Sequence, residues 1–199
     1  MSEQYINTGR KKQKLKTRNI LLKTAQELMA KGANFSLEDV AKEAKVSRAT
    51  IYRYYSNIDV LSAEAGLDLN TESPNAIYKK LQHLGTPEKI LAIQAYFNQL
   101  TVKHEAAFRK YLSIVLASDS LITKRGARRP KTLELALAQK DLGIDEIQSQ
   151  NLAHIASVLM GIEALITTKD VCGLSNEASR QTLQWGLEMV LKGALATKS

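Results

Sequence analysis

Arg48, Ala49, Thr50, Tyr52, Arg53 and Tyr54 crowd into one seven-residue run, and their types suit a surface that reads DNA. A guanidinium such as that of Arg48 can donate to guanine O6 and N7 together, which makes it the first choice for base readout. Ala49 is short enough to let a helix enter a groove, and its methyl can meet a thymine methyl. Arg53 can reach a base or a phosphate. The hydroxyls of Thr50, Tyr52 and Tyr54 suit phosphate oxygens, as does Ser36 at a helix start. Ser36 and Ser47 can equally be plain caps, and Tyr54 can instead pack on the first helix. Upstream, Arg10, Lys11, Lys12, Lys14, Lys16 and Arg18 form a basic run suited to phosphate or minor-groove contact, with a solvated face as the plain alternative.

The elements that must position these groups are legible around them. Ser36 followed by Leu37, Glu38 and Asp39 is an N-cap with an acidic first turn. Ser47 opens a second helix start. Only Lys45 and Val46 lie between the two short helices, so they must cross at a large angle, as in a helix-turn-helix. Val40, Ala41, Ala44, Val46 and Ile51 recur at helical spacing and face inward. With Ile51 inside, Arg48, Ala49, Thr50, Arg53 and part of Tyr52 stay outside.

Charge agrees with this placement. The chain has 199 residues and a formal net charge of +8. Residues 1–60 carry 12 Lys/Arg against 6 Asp/Glu, and the remainder carries 16 against 14. The excess therefore sits with the helix pair, where phosphate would be met. The single cysteine, Cys172, excludes an intrachain disulfide and a multi-cysteine metal site. No apolar run approaches a membrane span, and no apolar segment follows the basic N-terminal region, so a cytoplasmic protein without membrane contact is expected. Asn34-Phe35-Ser36 is a sequon without meaning in that setting.

The remaining chain reads as helices. Residues 1–9 are expected to be loose. A first helix carries Leu15, Ile20, Leu21, Leu22, Ala25, Leu28 and Met29 and ends near Gly32. A fourth runs from Asn57 to about Leu69. Later helices are expected over Ala76–Leu84, over Pro87–Lys103 with Thr86 as N-cap, over Glu105–Leu116, and over Thr132–Lys140 after the basic loop Lys124–Lys131. One long helix is expected over Asp145–Val171, and a last one reaches about Leu195. No strand or repeat is recognised. The expected fold is all-α, with a three-helix DNA-binding domain over 1–56 and a larger helical domain over 57–199 for effector binding and dimerisation.

The head resembles the TetR family of bacterial transcriptional repressors over about Thr17–Leu61. The matching residues are Thr17-Arg18, Ile20-Leu21, Ala25, Leu28, Gly32, Leu37-Glu38-Asp39-Val40-Ala41, Ala44, Val46-Ser47 and Ile51-Tyr52-Arg53-Tyr54-Tyr55. The resemblance implies a homodimer on a pseudo-palindromic operator in double-stranded DNA, released by a small-molecule effector, with the fourth helix as lever. Two recognition helices must reach major grooves about 34–36 Å apart, so a modest pivot loses the fit. It also implies that Tyr55 is an interior aromatic. Two positions depart from the family pattern. Lys45 stands where glycine is common and would cost roughly 1 kcal/mol if the backbone there is left-handed. Ile58 stands where a phosphate-touching lysine is common.

The same resemblance selects body residues. Tyr96, Phe97, Leu100, His104, Tyr111, Val115, His154 and Glu163 lie on helices that line the family's cavity, with core packing or surface as the alternative for each. The two phenols are favoured because a buried hydroxyl needs a partner that a ligand can supply. Gly161, Leu165 and Thr168 with Ala164, and Leu183, Leu187 and Val190 with Ala194, form small and apolar stripes. Two such helices from each subunit would make a four-helix dimer interface, and intrachain core gives the same pattern. Trp185 falls off the stripe.

Two other classes compete with a ligand-released repressor. No catalytic residue, cofactor or metal site is expected. His104-Glu105-Ala106-Ala107-Phe108 lacks the second histidine of a zinc-binding HExxH, and no phosphate-cradling glycine loop or nucleophile elbow occurs. A constitutive DNA-binding dimer without an effector remains the alternative.

Overall fold

The computed structural model describes residues 3–31, 34–69, 71–117, 128–139 and 141–196, with side chains from residue 13 onward except at residue 69. Eleven α-helices and one π turn make up the described residues, and none of these residues forms a strand. The expected all-α class is what the chain adopts. The helices are α1 (Glu3–Ala30), α2 (Leu37–Glu43), α3 (Arg48–Tyr54), α4 (Ile58–Leu69), α5 (Pro74–Leu81), α6 (Thr86–Lys103), α7 (Glu105–Leu116), α8 (Arg128–Leu137), α9 (Glu146–Val158), α10 (Ile162–Ile166) and α11 (Asn176–Ala196). The π turn, Thr167–Val171, follows α10.

The chain forms two compact units, one from residues 1–70 with 110–123, the other from 71–109 with 124–199. In the first, Leu21, Leu22 and Ala25 of α1 meet Leu37, Val40 and Ala41 of α2, Ile51 and Tyr55, and Leu61 and Ala65 of α4. These apolar groups recur every three or four positions, so each helix buries one stripe. The expected domain boundary at residue 56 precedes α4, which clusters with α1. A buried ion pair joins those two helices: Arg18 donates to Glu64, and their side chains are only 20% and 12% exposed. Gln26 adds hydrogen bonds from its Nε2 to the Ala65 carbonyl at 3.2 Å and to Asp68 at 2.9 Å.

Five sequence expectations need correction. Residues 1–9 are not wholly loose, because α1 already begins at Glu3. Its Glu, Gln and Lys residues favour helix strongly enough to extend it past Gly9. Thr86 does not cap α6. Gly85 occupies the N-cap, and Thr86 is buried with its hydroxyl turned to Gln139. The helix after the basic loop starts at Arg128 rather than Thr132, with Pro130 in its first turn, where the missing N–H is an orphan anyway. The loop's Lys124–Ala127 part lies outside the described residues. The helix expected over Ala76–Leu84 covers Pro74–Leu81, with Ser73 accepting from the Ala76 N–H.

The fifth correction matters most for the second unit. The segment Asp145–Val171 is not one helix. It breaks after Val158, and its two pieces meet at 52°. At the break Gly161 takes φ 89° and ψ −166°, a conformation essentially reserved for glycine. The freed backbone groups find side-chain partners. Asn98 accepts from the Gly161 N–H at 2.9 Å, and Arg129 donates to the Met160 carbonyl. Gln94, buried on α6, donates to the carbonyls of Leu159 and Leu183 at 2.8 and 2.7 Å. Around these bonds Ile90, Ile93, Phe97, Leu133, Leu152, Met160 and Leu187 form the unit's apolar core.

Candidate nucleic-acid interface

Local capping sets the α2–α3 unit. Ser36 and Asp39 form a reciprocal capping box: Ser36 Oγ accepts from the Asp39 N–H, and Asp39 accepts from the Ser36 N–H at 2.9 Å. The Ser36 hydroxyl first, and its backbone N–H next, hold the Asp39 carboxyl below the usual range. Ser47 caps α3 by accepting from the Thr50 N–H at 3.1 Å. Between the helices the Val46 N–H donates to the Ala41 carbonyl at 2.9 Å, which folds the chain back in two residues. That turn needs a left-handed residue, and Lys45 supplies it at φ 54°. The family position usually filled by glycine is thus held by a lysine in a glycine-like conformation.

Ile51 and Tyr55 anchor α3, fully or nearly fully buried. Tyr55 is interior, as the resemblance implied. Burial pushes its phenol above the usual tyrosine range, with the neighbouring Glu64 carboxylate adding to the effect. Burial likewise raises the Glu64 carboxyl, against the opposing pull of Arg18. With that side of α3 fixed, Arg48, Ala49, Tyr52 and Arg53 are exposed, while Thr50 and Tyr54 are half-buried. The Thr50 hydroxyl lies 2.8 Å from Ser47 Oγ. Tyr54 packs against the core of its unit, and the Arg53 guanidinium lies over its ring at 5.9 Å.

One acidic residue enters this surface. Glu38, in the first turn of α2, accepts from the Tyr52 hydroxyl at 2.7 Å and pairs with Arg48 at 3.1 Å. The Arg48 guanidinium also lies over the Tyr52 ring at 5.6 Å. The Tyr52 hydrogen bond, chiefly, holds the Glu38 carboxyl below the ordinary range. Sequence reasoning read Glu38 only as a favourable charge at a helix start; its distance to α3 depends on a crossing angle that spacing does not give. Of the basic arm, Lys14 is exposed on α1, and the side chains of Lys11 and Lys12 lie outside the described residues.

The body residues divide between the two units. Tyr111 and Val115 belong to the 110–123 stretch that clusters with the head, whereas Tyr96, Leu100, His104, His154 and Glu163 belong to the second unit. Tyr96 uses its hydroxyl to accept from the Glu72 N–H at 2.9 Å and meets Phe97 edge-on. His104 caps the C-terminus of α6, Leu100 is half-buried, and His154 is exposed. Glu163 pairs with Arg129 at 3.0 Å, and both line an open groove of about 430 Å³ with Ser157, Leu159, Thr168 and Leu183. No other residue of the expected ligand set lines that groove.

The expected interface stripe is mostly covered by its own chain. Gly161, Leu165, Thr168, Leu183 and Leu187 are buried, and Val190 is half-buried against the core. The physical reason is the break at Gly161 and the seating of α11, which turn those stripes inward. The large apolar groups left outside on these two helices are Ile147, Ile155 and Val158 on α9 and Trp185 and Met189 on α11.

The near miss to a zinc motif is split by structure: His104 ends α6, and Glu105 begins α7 and binds Lys169 and Arg109. Among the described residues no three His, Cys, Asp or Glu side chains gather as a metal site. No single helix among them is long and apolar enough to cross a membrane.

Residues 20–65 match the family described as bacterial regulatory proteins, tetR family. No curated protein and no solved structure matches the chain. The match covers α2, the turn, α3 and parts of α1 and α4, the elements whose caps and core have just been traced. Residues 20–65 thus carry a helix-turn-helix head similar to that of the TetR family, and such a head implies a DNA-binding transcriptional regulator.

Proposed function

We propose that the chain works as a homodimer that reads a pseudo-palindromic operator with two copies of α3, acts as a repressor, and is released by a small molecule. The observation that carries the DNA reading is the division of α3. Ile51 and Tyr55 lock one side into the core, so Arg48, Ala49, Tyr52 and Arg53 face outward together. In this role Arg48 reads a base, Ala49 fits the groove, and Arg53 takes a base or a phosphate. Thr50, Tyr52, Tyr54, Ser36, Lys11, Lys12 and Lys14 hold the backbone. The dimer reading rests on four exposed apolar side chains, Ile155, Val158, Trp185 and Met189, spaced three and four residues apart on α9 and α11 as helix–helix packing requires.

Selection of bound duplexes from a random pool at near-physiological salt tests the proposal. Recovery of a two-fold motif with half-sites one helical turn or more apart is expected. Binding without any motif that vanishes as salt rises would overturn it.

A second reading, a constitutive dimer without an effector, is favoured by two observations. Tyr111 and Val115 cluster with the head, and Glu163 already has Arg129 as a partner. A thermal-shift screen with diverse small molecules separates the two, because a ligand that binds the folded state must raise its melting temperature.

A further inference from the structure

Glu38, Arg48 and Tyr52 close a triangle across α2 and α3. The carboxylate accepts from the Tyr52 hydroxyl at 2.7 Å, meets Arg48 Nη2 at 3.1 Å, and the guanidinium rests over the Tyr52 ring at 5.6 Å. A lone exposed ion pair would do little. Here three contacts among three side chains restrict one another, and two of those side chains are the ones placed for DNA contact. A negative charge at a phosphate-facing surface is otherwise unfavourable, so its presence calls for an account. Asp39, the adjacent acid, is consumed by Ser36, which leaves Glu38 as the carboxylate that addresses α3.

We propose that Glu38 is a positioning residue for base readout: it holds Arg48 extended from α3 and orients Tyr52 beside it, so that both arrive at DNA already arranged. A guanidinium has five donors in a planar fork. Glu38 engages Nη2, and the ring covers one face, so N–H groups on the rest of the fork stay available for guanine O6 and N7. Without the carboxylate the long Arg48 side chain samples many rotamers and must be ordered at binding. The same carboxylate repels phosphate, which weakens attachment to arbitrary sequence. The repulsion acts on any duplex alike, whereas the ordering serves only a base-contacting Arg48 and so widens the gap between the operator and random DNA.

This inference rests on the reading of Arg48 as a base-contacting residue. The experiment measures anisotropy of two labelled duplexes, the selected operator and a scrambled one of equal length, with wild type, Glu38→Gln, Arg48→Ala and the double variant. Melting temperatures confirm that each is folded. Glu38→Gln is expected to lower the operator-to-scrambled affinity ratio by about 3- to 10-fold, part of what a bidentate base contact contributes. Its affinity for the scrambled duplex should stay level or rise. In the Arg48→Ala background the same change should leave the ratio unmoved. Tyr52→Phe, which keeps the ring and removes the hydroxyl, should lower the ratio in the same direction but less.

A ratio that Glu38→Gln leaves intact, or equal tightening on both duplexes, overturns the inference and reduces Glu38 to a repelling surface charge. A wild-type ratio that survives Arg48→Ala overturns the base-contact reading itself, and the inference with it.

Discussion

The Arg129 guanidinium lies directly over Gly161, so closely that a β-carbon built on the glycine would overlap Arg129 Nη1. The glycine's backbone conformation, at φ 89°, would also strain any other residue. The conformation demands glycine at the point where α9 gives way to α10, and a β-carbon there would also push the Arg129 side chain aside.

Gly161→Ala should therefore destabilise the protein by about 1–3 kcal/mol. Urea denaturation followed by circular dichroism measures this. Combining it with Arg129→Ala removes the overlap but not the strain, so the two losses should add to less than their sum.

Lys45→Gly should stabilise the protein, by up to about 1 kcal/mol, because it relieves the left-handed strain at φ 54°. Greater backbone freedom in the unfolded chain offsets part of this gain. A rise in melting temperature without loss of DNA binding is expected. A fall would show that the Lys45 side chain contributes more than its backbone costs.

Removing Glu64 leaves Arg18 in a mostly buried place without its carboxylate. Glu64→Ala should cost about 3 kcal/mol, in the range for breaking a buried pair. Glu64→Gln reports on pH. Burial raises the folded-state carboxyl, so the folded protein holds that proton more tightly than the unfolded chain. The contribution is complete below the ordinary glutamate value of about 4.3 and is lost as pH rises through the raised folded value. The stability of wild type relative to Glu64→Gln should accordingly grow as pH falls through the raised folded value toward about 4.3.

Trp185, the chain's single tryptophan, is 62% exposed within one protomer. If α9 and α11 pair across a dimer, its emission should shift to the blue as concentration rises through the dissociation constant. Trp185→Ala should weaken the dimer by about 2 kcal/mol, roughly 30-fold, as central aromatic anchors do. Sedimentation equilibrium across the micromolar range checks both.

Replacing Lys11, Lys12 and Lys14 with alanine should weaken binding to every duplex. The salt slope should flatten by up to about 0.9 per lost phosphate contact. An unchanged slope would place the arm off the DNA.

What was legible in the sequence is what local chemistry decides. Ser36 and Ser47 each cap a backbone N–H three residues on, so a short window of sequence contains both partners. The left-handed turn at Lys45 was signalled only by the resemblance, in which glycine is common at that position. The break at Gly161 was not legible, because its partners stand far away in sequence. Asn98 is 63 positions from Gly161, and Arg129 is 31 from Met160. Without them Gly161 reads as a small contact residue inside a continuous apolar stretch. The outward face of α11 was misjudged for a related reason. Leu183 and Leu187 make a stripe that would suit a partner subunit as well as the core, and only packing shows that they turn inward while Trp185 and Met189 remain outside. Glu38 fell between these cases, since its partner Tyr52 is 14 residues distant but on another helix.

The π turn at Thr167–Val171 presents Lys169 and Asp170, neighbours in sequence, to one stretch of α7. Lys169 meets Glu105, and Asp170 meets Arg109 through two parallel hydrogen bonds of 2.7 Å. On α7 the acid precedes the base by four residues, about one helical turn. An axial slip of α7 by that turn would bring Arg109 opposite Lys169, cation against cation. The four charges thus act as a vernier that favours this register. Stepping α7 along its axis by a turn, about 5.4 Å, would break both pairs and set like charges together.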